Sequence, residues 1–190
     1  MRICRFDHNR FGLVEGDHIL DVTGALEVLP AQRYPFPGHD VLIENLPAVL
    51  AKAKSLAPTA PRIPPSPTRG SPATGKHITD WGLFLKATSA LVGFGDEVKL
   101  RKPERRNDHE IELAVIIGKR ANKVKAADAL DYVAGYAMGL DMTIRGPELQ
   151  SFRKSVDTYA VCGPWMVTKD EIADPNNLNL KIAVNGAPRQ

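Results

Sequence analysis

Between Ala57 and Lys76 six prolines, Pro58, Pro61, Pro64, Pro65, Pro67 and Pro72, fall among Ser, Thr, Arg and Gly. A proline has no backbone N–H to donate and its ring clashes with the preceding turn, so this stretch is neither an interior helix nor a central strand. It predicts a linker over residues 57–76 that divides a small N-terminal region, residues 1–56, from a main region, residues 77–190. A length of 190 residues suits one ordinary domain with such an appendage.

Before the prolines, "RICRF", "FGLVEG" and "HILDVT" alternate apolar and polar residues and are separated by the turn signals "DHNR" and "GD". That pattern predicts two or three short strands joined as hairpins. "DVLIENLPAVLAKAKSL" reads as helix, with Asp40 as N-cap and Leu42, Ile43, Leu46, Val49, Leu50 and Ala53 as its apolar stripe, and with Pro47 splitting it.

After the prolines come short β-branched or aromatic runs bounded by Gly, Pro or Asp: "WGLFLKATSALVGFGDEVKL", "HEIELAVIIG", "ALDYVAGYAMGLDMT", "YAVCGPWMVT" and "LNLKIAVNGA". They predict a mainly β, α+β domain, with one helical start at Ala126 to Leu130. "LKIAVNG" runs into Asn185-Gly186, a strong hairpin-turn signal, and only "APRQ" follows. The expectation is a C-terminally incomplete fold.

Composition excludes several classes. A hydrophobic content of 43% with 25% charged residues is that of a globular chain. The net charge of +3 is mild. The basic loop of Arg101, Lys102, Arg105 and Arg106 is interrupted by Glu104 and Asp108 and has no interleaved aromatics, so it reads as a solvated loop with no nucleic-acid role. No apolar run is long enough for a membrane span and the N-terminus has no apolar signal core. Cys4 and Cys162 form neither a metal-binding spacing nor a disulfide framework, so the expected setting is soluble, reducing and cytoplasmic.

In "DHEIELAVIIGK" Glu110 and Glu112 lie one residue apart at the mouth of an apolar run. On a strand both carboxylates leave the same face, with Cα atoms roughly 6.5 Å apart. At an effective dielectric near 20 two such charges repel by roughly 2–3 kcal/mol. Asp141, at the expected end of "YVAGYAMGL", adds a third acid. Three carboxylates with no adjacent Cys or His pair form a hard oxygen set suited to Mg²⁺, Ca²⁺ or Mn²⁺, and such a cation removes the repulsion. Spacing alone equally accommodates a solvated edge-strand face and a turn cap. Downstream, Arg145, Arg153 and Lys154 offer fixed cations for a carboxylate or keto-acid substrate, or an ordinary charged loop.

Taken in order, "LFLKATSALVGFGDEV", "HEIELAVIIGK", "YVAGYAMGLDMTIR", "FRKSVDTYAVCGPWMVTKDEI" and "LKIAVNGAPRQ" resemble the fumarylacetoacetate hydrolase family, from about Trp81 to Gln190. The resemblance implies a mixed β-sandwich roll with a small N-terminal hairpin and helix region, assembled as a homodimer. It implies that Glu110, Glu112 and Asp141 bind Mg²⁺, Ca²⁺ or Mn²⁺, and that Lys154 and Arg145 meet a 2-oxo or 2,4-dioxo acid. The implied chemistry is C–C hydrolysis, decarboxylation or isomerisation through a metal-stabilised enolate. One departure stands out. The family's catalytic His and Glu, which follow an "NY" strand before the "FLK" segment, have no match here, because "PPSPTRGSPATGKHITDWGLF" passes directly from prolines to that segment. His77 sits in an unmatched context, so no catalytic His–Glu dyad is assigned. A non-catalytic homologue that binds metal without activating water is the alternative reading.

Overall fold

A computed structural model describes residues 1–7, 9–33, 37–63 and 83–190. His77 and the part of the Pro-rich stretch beyond residue 63 lie outside the described residues. The chain forms two compact units that interleave along the sequence: Met1–Ser66 with Val115–Tyr136 and Trp165–Ala173, and Pro67–Ala114 with Ala137–Pro164 and Asp174–Gln190.

In the first unit the expected hairpins form as β1 (Arg2–Phe6), β2 (Arg10–Glu15) and β3 (His18–Asp21). They pair antiparallel, with Ile3 opposite Leu13 and Leu13 opposite Leu20. The predicted helix splits at Asn45 into α1 (Val41–Glu44) and α2 (Leu46–Leu56), with Pro47 in the first turn of α2, where no N–H is missed. Asp40 caps α1, its Oδ1 accepting from the N–H of Leu42 at 2.9 Å and of Ile43 at 3.1 Å. Leu46, Val49 and Ala53 on one face of α2 close over Ile3, Phe11, Leu13 and Leu20. Each fully buried Leu, Val or Phe contributes roughly 1.5–3 kcal/mol, so this small core is a substantial source of stability. The Pro-rich stretch begins as a single turn, Ala57–Thr59, and a two-residue strand β4 (Arg62–Ile63) on the sheet edge beside β3.

The second unit is carried by β5 (Leu91–Gly93) and by most of β6 (Asn107–Ile117), β7 (Val133–Ile144) and β8 (Ala160–Thr168), in the sheet order β5-β8-β7-β6. β5 runs parallel to β8, Leu91 opposite Ala160. Met142, Ile144 and Tyr159 form its core, with Val98 and Val156 packed against them. Tyr159 is fully buried and its hydroxyl donates to Asn107 Oδ1 at 2.6 Å.

Two expectations change. Residues Ala126–Tyr132 form a tighter 3-10 helix instead of an α-helical start, because none of its residues is buried to reward a longer element and Val133 already enters β7. Asp141 lies inside β7 instead of ending it, since Met142 and Ile144 prolong the strand by burying their side chains. The last hairpin forms as expected but is short, β9 (Ala183–Val184) against β10 (Ala187–Pro188). Asn185 (φ 51°) and Gly186 (φ 80°) take the left-handed turn conformation. Both cysteines are free. Among the described residues no helix is long and apolar enough to cross a membrane.

Candidate metal centre

β6 supplies the first two acids. Ile111 is buried, and the period of two sends Glu110 and Glu112 together to the opposite face. Asp141 reaches the same place from β7 and is 5% exposed. One oxygen from each of Glu110, Glu112 and Asp141 lies within 4.8 Å of the others. Two oxygens on one hard divalent cation stand at most about 4–5 Å apart, twice the usual metal–oxygen distance, so these residues fit such an ion. All donors are carboxylate oxygens, which suits Mg²⁺, Mn²⁺ or Ca²⁺ and disfavours zinc.

The surrounding cations explain how three acids share this space. After β7 the chain turns through residues 145–149 into the single-turn helix α3 (Gln150–Lys154), which delivers Lys154 to the acids. Lys154 is itself 5% exposed. Its Nζ donates to Glu110 Oε2 at 2.6 Å, Asp141 Oδ2 at 2.5 Å and Thr143 Oγ1 at 2.6 Å, so all three ammonium protons have acceptors. The ring of Phe84 lies 5.0 Å from the same nitrogen. Arg145 donates through Nε to Asp108 Oδ2 at 2.6 Å and through Nη2 to Glu110 Oε1.

Lys86 completes the set. Its ammonium donates to Asp141 Oδ1 and, at 3.4 Å, to the Met142 carbonyl. It is brought beside Lys154 by Ser155, whose Oγ accepts from the Ala87 N–H at 2.9 Å and donates to the Leu85 carbonyl at 3.3 Å. One hydroxyl thus grips the backbone on both sides of Lys86. Lys86, Thr143 and Asp108 were not among the residues expected from the sequence. The available signal for Lys86 was the alternation in "LFLK", which puts Phe84 and Lys86 on one face.

The electrostatics divide the three acids. Burial works to raise the Glu110 carboxyl, but the hydrogen bond and charge of Lys154, with help from Arg145 and Thr143, hold it below the usual range. Glu112 pairs with no described residue; the packing around its carboxyl and then the charge of Asp141 push it above the usual range. Burial lowers the Lys86 ammonium, which the bond to Asp141 only partly offsets. Glu112 is therefore the acid that a bound cation would relieve most.

Comparison with known proteins gives a consistent picture. The family model described as fumarylacetoacetate (FAA) hydrolase C-terminal matches residues 48–190. A maleylpyruvate hydrolase of Aquipseudomonas alcaligenes is 47% identical, the match covering the whole of this chain and 78% of that protein. The human mitochondrial oxaloacetate tautomerase FAHD2A is 40% identical over 55% of this chain and 35% of its own length. A crystal structure of maleylpyruvate hydrolase from Sphingobium sp. SYK-6, in complex with manganese(II) ion and pyruvate, has 37% identity and a TM-score of 0.81 and covers all of this chain and 75% of that one. The Aquipseudomonas alignment extends over 223 positions and a second, with a 2,4-didehydro-3-deoxy-L-rhamnonate hydrolase, over 219, against 190 residues here, so both relatives hold residues within the aligned span that have no counterpart in this chain. The match over three quarters of the sequence, the shared fold and the acidic cluster place this chain in the fumarylacetoacetate hydrolase family of enzymes.

Proposed function

We propose that this chain acts on a 2-oxo or 2,4-dioxo acid, with Glu110, Glu112 and Asp141 holding Mg²⁺, Ca²⁺ or Mn²⁺ and with Lys154 and Arg145 meeting the substrate. The observation that carries this is the convergence of three carboxylates within 4.8 Å beside a buried lysine. A maleylpyruvate hydrolase at 47% identity and a relative crystallised with manganese(II) and pyruvate support it. A divalent cation at this site supplies Lewis acidity toward a 2-oxo carboxylate. The protein's own part is positional. Lys154, held by Thr143 and the two acids, presents a fixed positive charge where negative charge develops on the substrate. Phe84 shields that ammonium from water on one side. On the same reading the protein is a cytoplasmic homodimer.

A second reading draws on the aligned positions that lack a counterpart here, together with the unmatched His–Glu dyad. Decarboxylation and tautomerisation need chiefly stabilisation of an enolate, whereas hydrolysis also needs an activated water. A chain without the dyad therefore retains the former better than the latter, or binds metal without turnover.

The test is Glu112→Ala, followed by calorimetric Mn²⁺ titration and by assays with an acylpyruvate and with oxaloacetate. Loss of both Mn²⁺ binding and turnover is expected, and a variant that matches wild type in both refutes the proposal. In the wild type, turnover of oxaloacetate without hydrolysis of the acylpyruvate supports the second reading, and efficient hydrolysis excludes it.

A further inference from the structure

Glu110 is held on both oxygens by different partners. Oε2 accepts from Lys154 and, at 3.2 Å, from the Thr143 hydroxyl, while Oε1 accepts from Nη2 of Arg145. Arg145 is fastened from the other side as well. Its backbone N–H donates to the Arg106 carbonyl at 2.9 Å, and its own carbonyl accepts from Arg105 Nη2 at 2.6 Å. Its Nε is committed to Asp108 Oδ2 at 2.6 Å. Asp108 and Glu110 are two apart on β6, so their side chains leave the same face and one guanidinium spans both. Asp108 is 19% exposed and also accepts from the largely exposed Arg106, at 2.8 and 3.0 Å.

A guanidinium pairs best with a carboxylate through a parallel two-bond fork. Here the fork is divided: Asp108 takes Nε and Glu110 receives a single bond. In Asp108→Asn the second anchor of Arg145 is weakened, so the guanidinium no longer holds Glu110 Oε1 in one fixed direction. We propose that Asp108 is a positioning residue for the candidate metal centre, acting through Arg145 to fix the Glu110 carboxylate while leaving it able to ligate. This rests on the metal-binding reading above and adds a residue and a route to it.

The test reads Mn²⁺ affinity by electron paramagnetic resonance, without any assay of turnover, on wild type, Asp108→Asn, Arg145→Gln, their double variant and Arg106→Gln. Asp108→Asn is expected to weaken Mn²⁺ binding roughly tenfold, as loss of a residue that orients a ligand does. In the Arg145→Gln background the same change should cost less than about twofold, because the relay is already broken. Arg106→Gln, which removes the other partner of Asp108, should also stay within about twofold. Arg145→Lys, which keeps the charge and loses the fork, should reproduce the loss and carries the test if Asp108→Asn folds poorly by circular dichroism. An equal loss from Asp108→Asn in both backgrounds marks a through-space charge effect and overturns the proposal, as does an unchanged affinity in Asp108→Asn or Arg145→Lys. If wild type takes up no Mn²⁺, the metal-binding reading falls and this inference with it; wild-type binding with indifferent variants removes the inference alone.

Discussion

Lys154 Nζ lies 2.5 Å from Asp141 Oδ2, both side chains about 6% exposed, though the two residues are thirteen positions apart in the chain. The turn after β7 and the single helical turn that follows fold the ammonium back onto the strand. The pair sits where an unmatched charge is costly, and Glu110 and Thr143 share the same nitrogen.

Lys154→Met leaves Asp141 with Lys86 and Glu110 with Arg145 as their remaining cationic partners. Removing one partner of a buried ion pair strands the other, so stability should fall by about 3 kcal/mol at pH 7. Urea unfolding followed by tryptophan fluorescence measures this. A midpoint equal to wild type would show that Lys86 alone satisfies the Asp141 charge.

Gly146 seats the Arg105–Glu148 pair. A Cβ there would overlap Arg105 Nη2 and Glu148 Oε2 and approach Arg105 Cζ to 2.9 Å. Arg105 also donates to the Arg145 carbonyl, and its guanidinium holds the Glu148 carboxyl down at about 2. Gly146→Ala should therefore expel Arg105 and lower the unfolding midpoint. In an Arg105→Ala background roughly half or more of that penalty should vanish, since the nearer of the two overlapping groups is gone and Glu148 loses the partner that holds it there. An equal penalty in both backgrounds would place the glycine requirement in the backbone instead.

Burial pushes the Cys4 thiol from its ordinary 9.0 up to about 11. Between those values the folded state keeps a proton that the unfolded chain releases, so stability falls as pH rises. The contribution is fully present below pH 9 and is lost toward pH 11. Relative to Cys4→Ala, which cannot titrate, wild type should lose about 2 kcal/mol across that window. Parallel urea titrations at pH 8 and pH 10.5 check it, and iodoacetamide at pH 8 should leave Cys4 unmodified. A constant difference between the two proteins at both pH values would contradict the burial argument.

The local features were legible because short-range chemistry specifies them. Asp40 caps α1, Pro47 splits the helix, and Asn185-Gly186 closes a hairpin, each through a preference of one or two residues. The strand character of β6 and β7 followed from their β-branched and aromatic runs, and the shared face of Glu110 and Glu112 from the period of two. The 3-10 form of Ala126–Tyr132 did not, since a propensity for helix says nothing about whether packing will reward a longer one.

For the site, the sequence alone determined which residue types were available and that two acids must leave one strand together. Only the tertiary structure decided what they meet. Asp141 lies on another strand, Lys154 follows a turn, and Lys86 comes from a segment more than fifty residues earlier. Thr143 and Ser155 act through hydroxyls whose partners are far away in sequence. Asp108 reads as a solvated loop acid until Arg145, just after β7, bridges it to Glu110. The physical reason is that charge–charge and hydrogen-bond energies depend on separations of 2.5–3.5 Å, which chain spacing does not encode and strand pairing does.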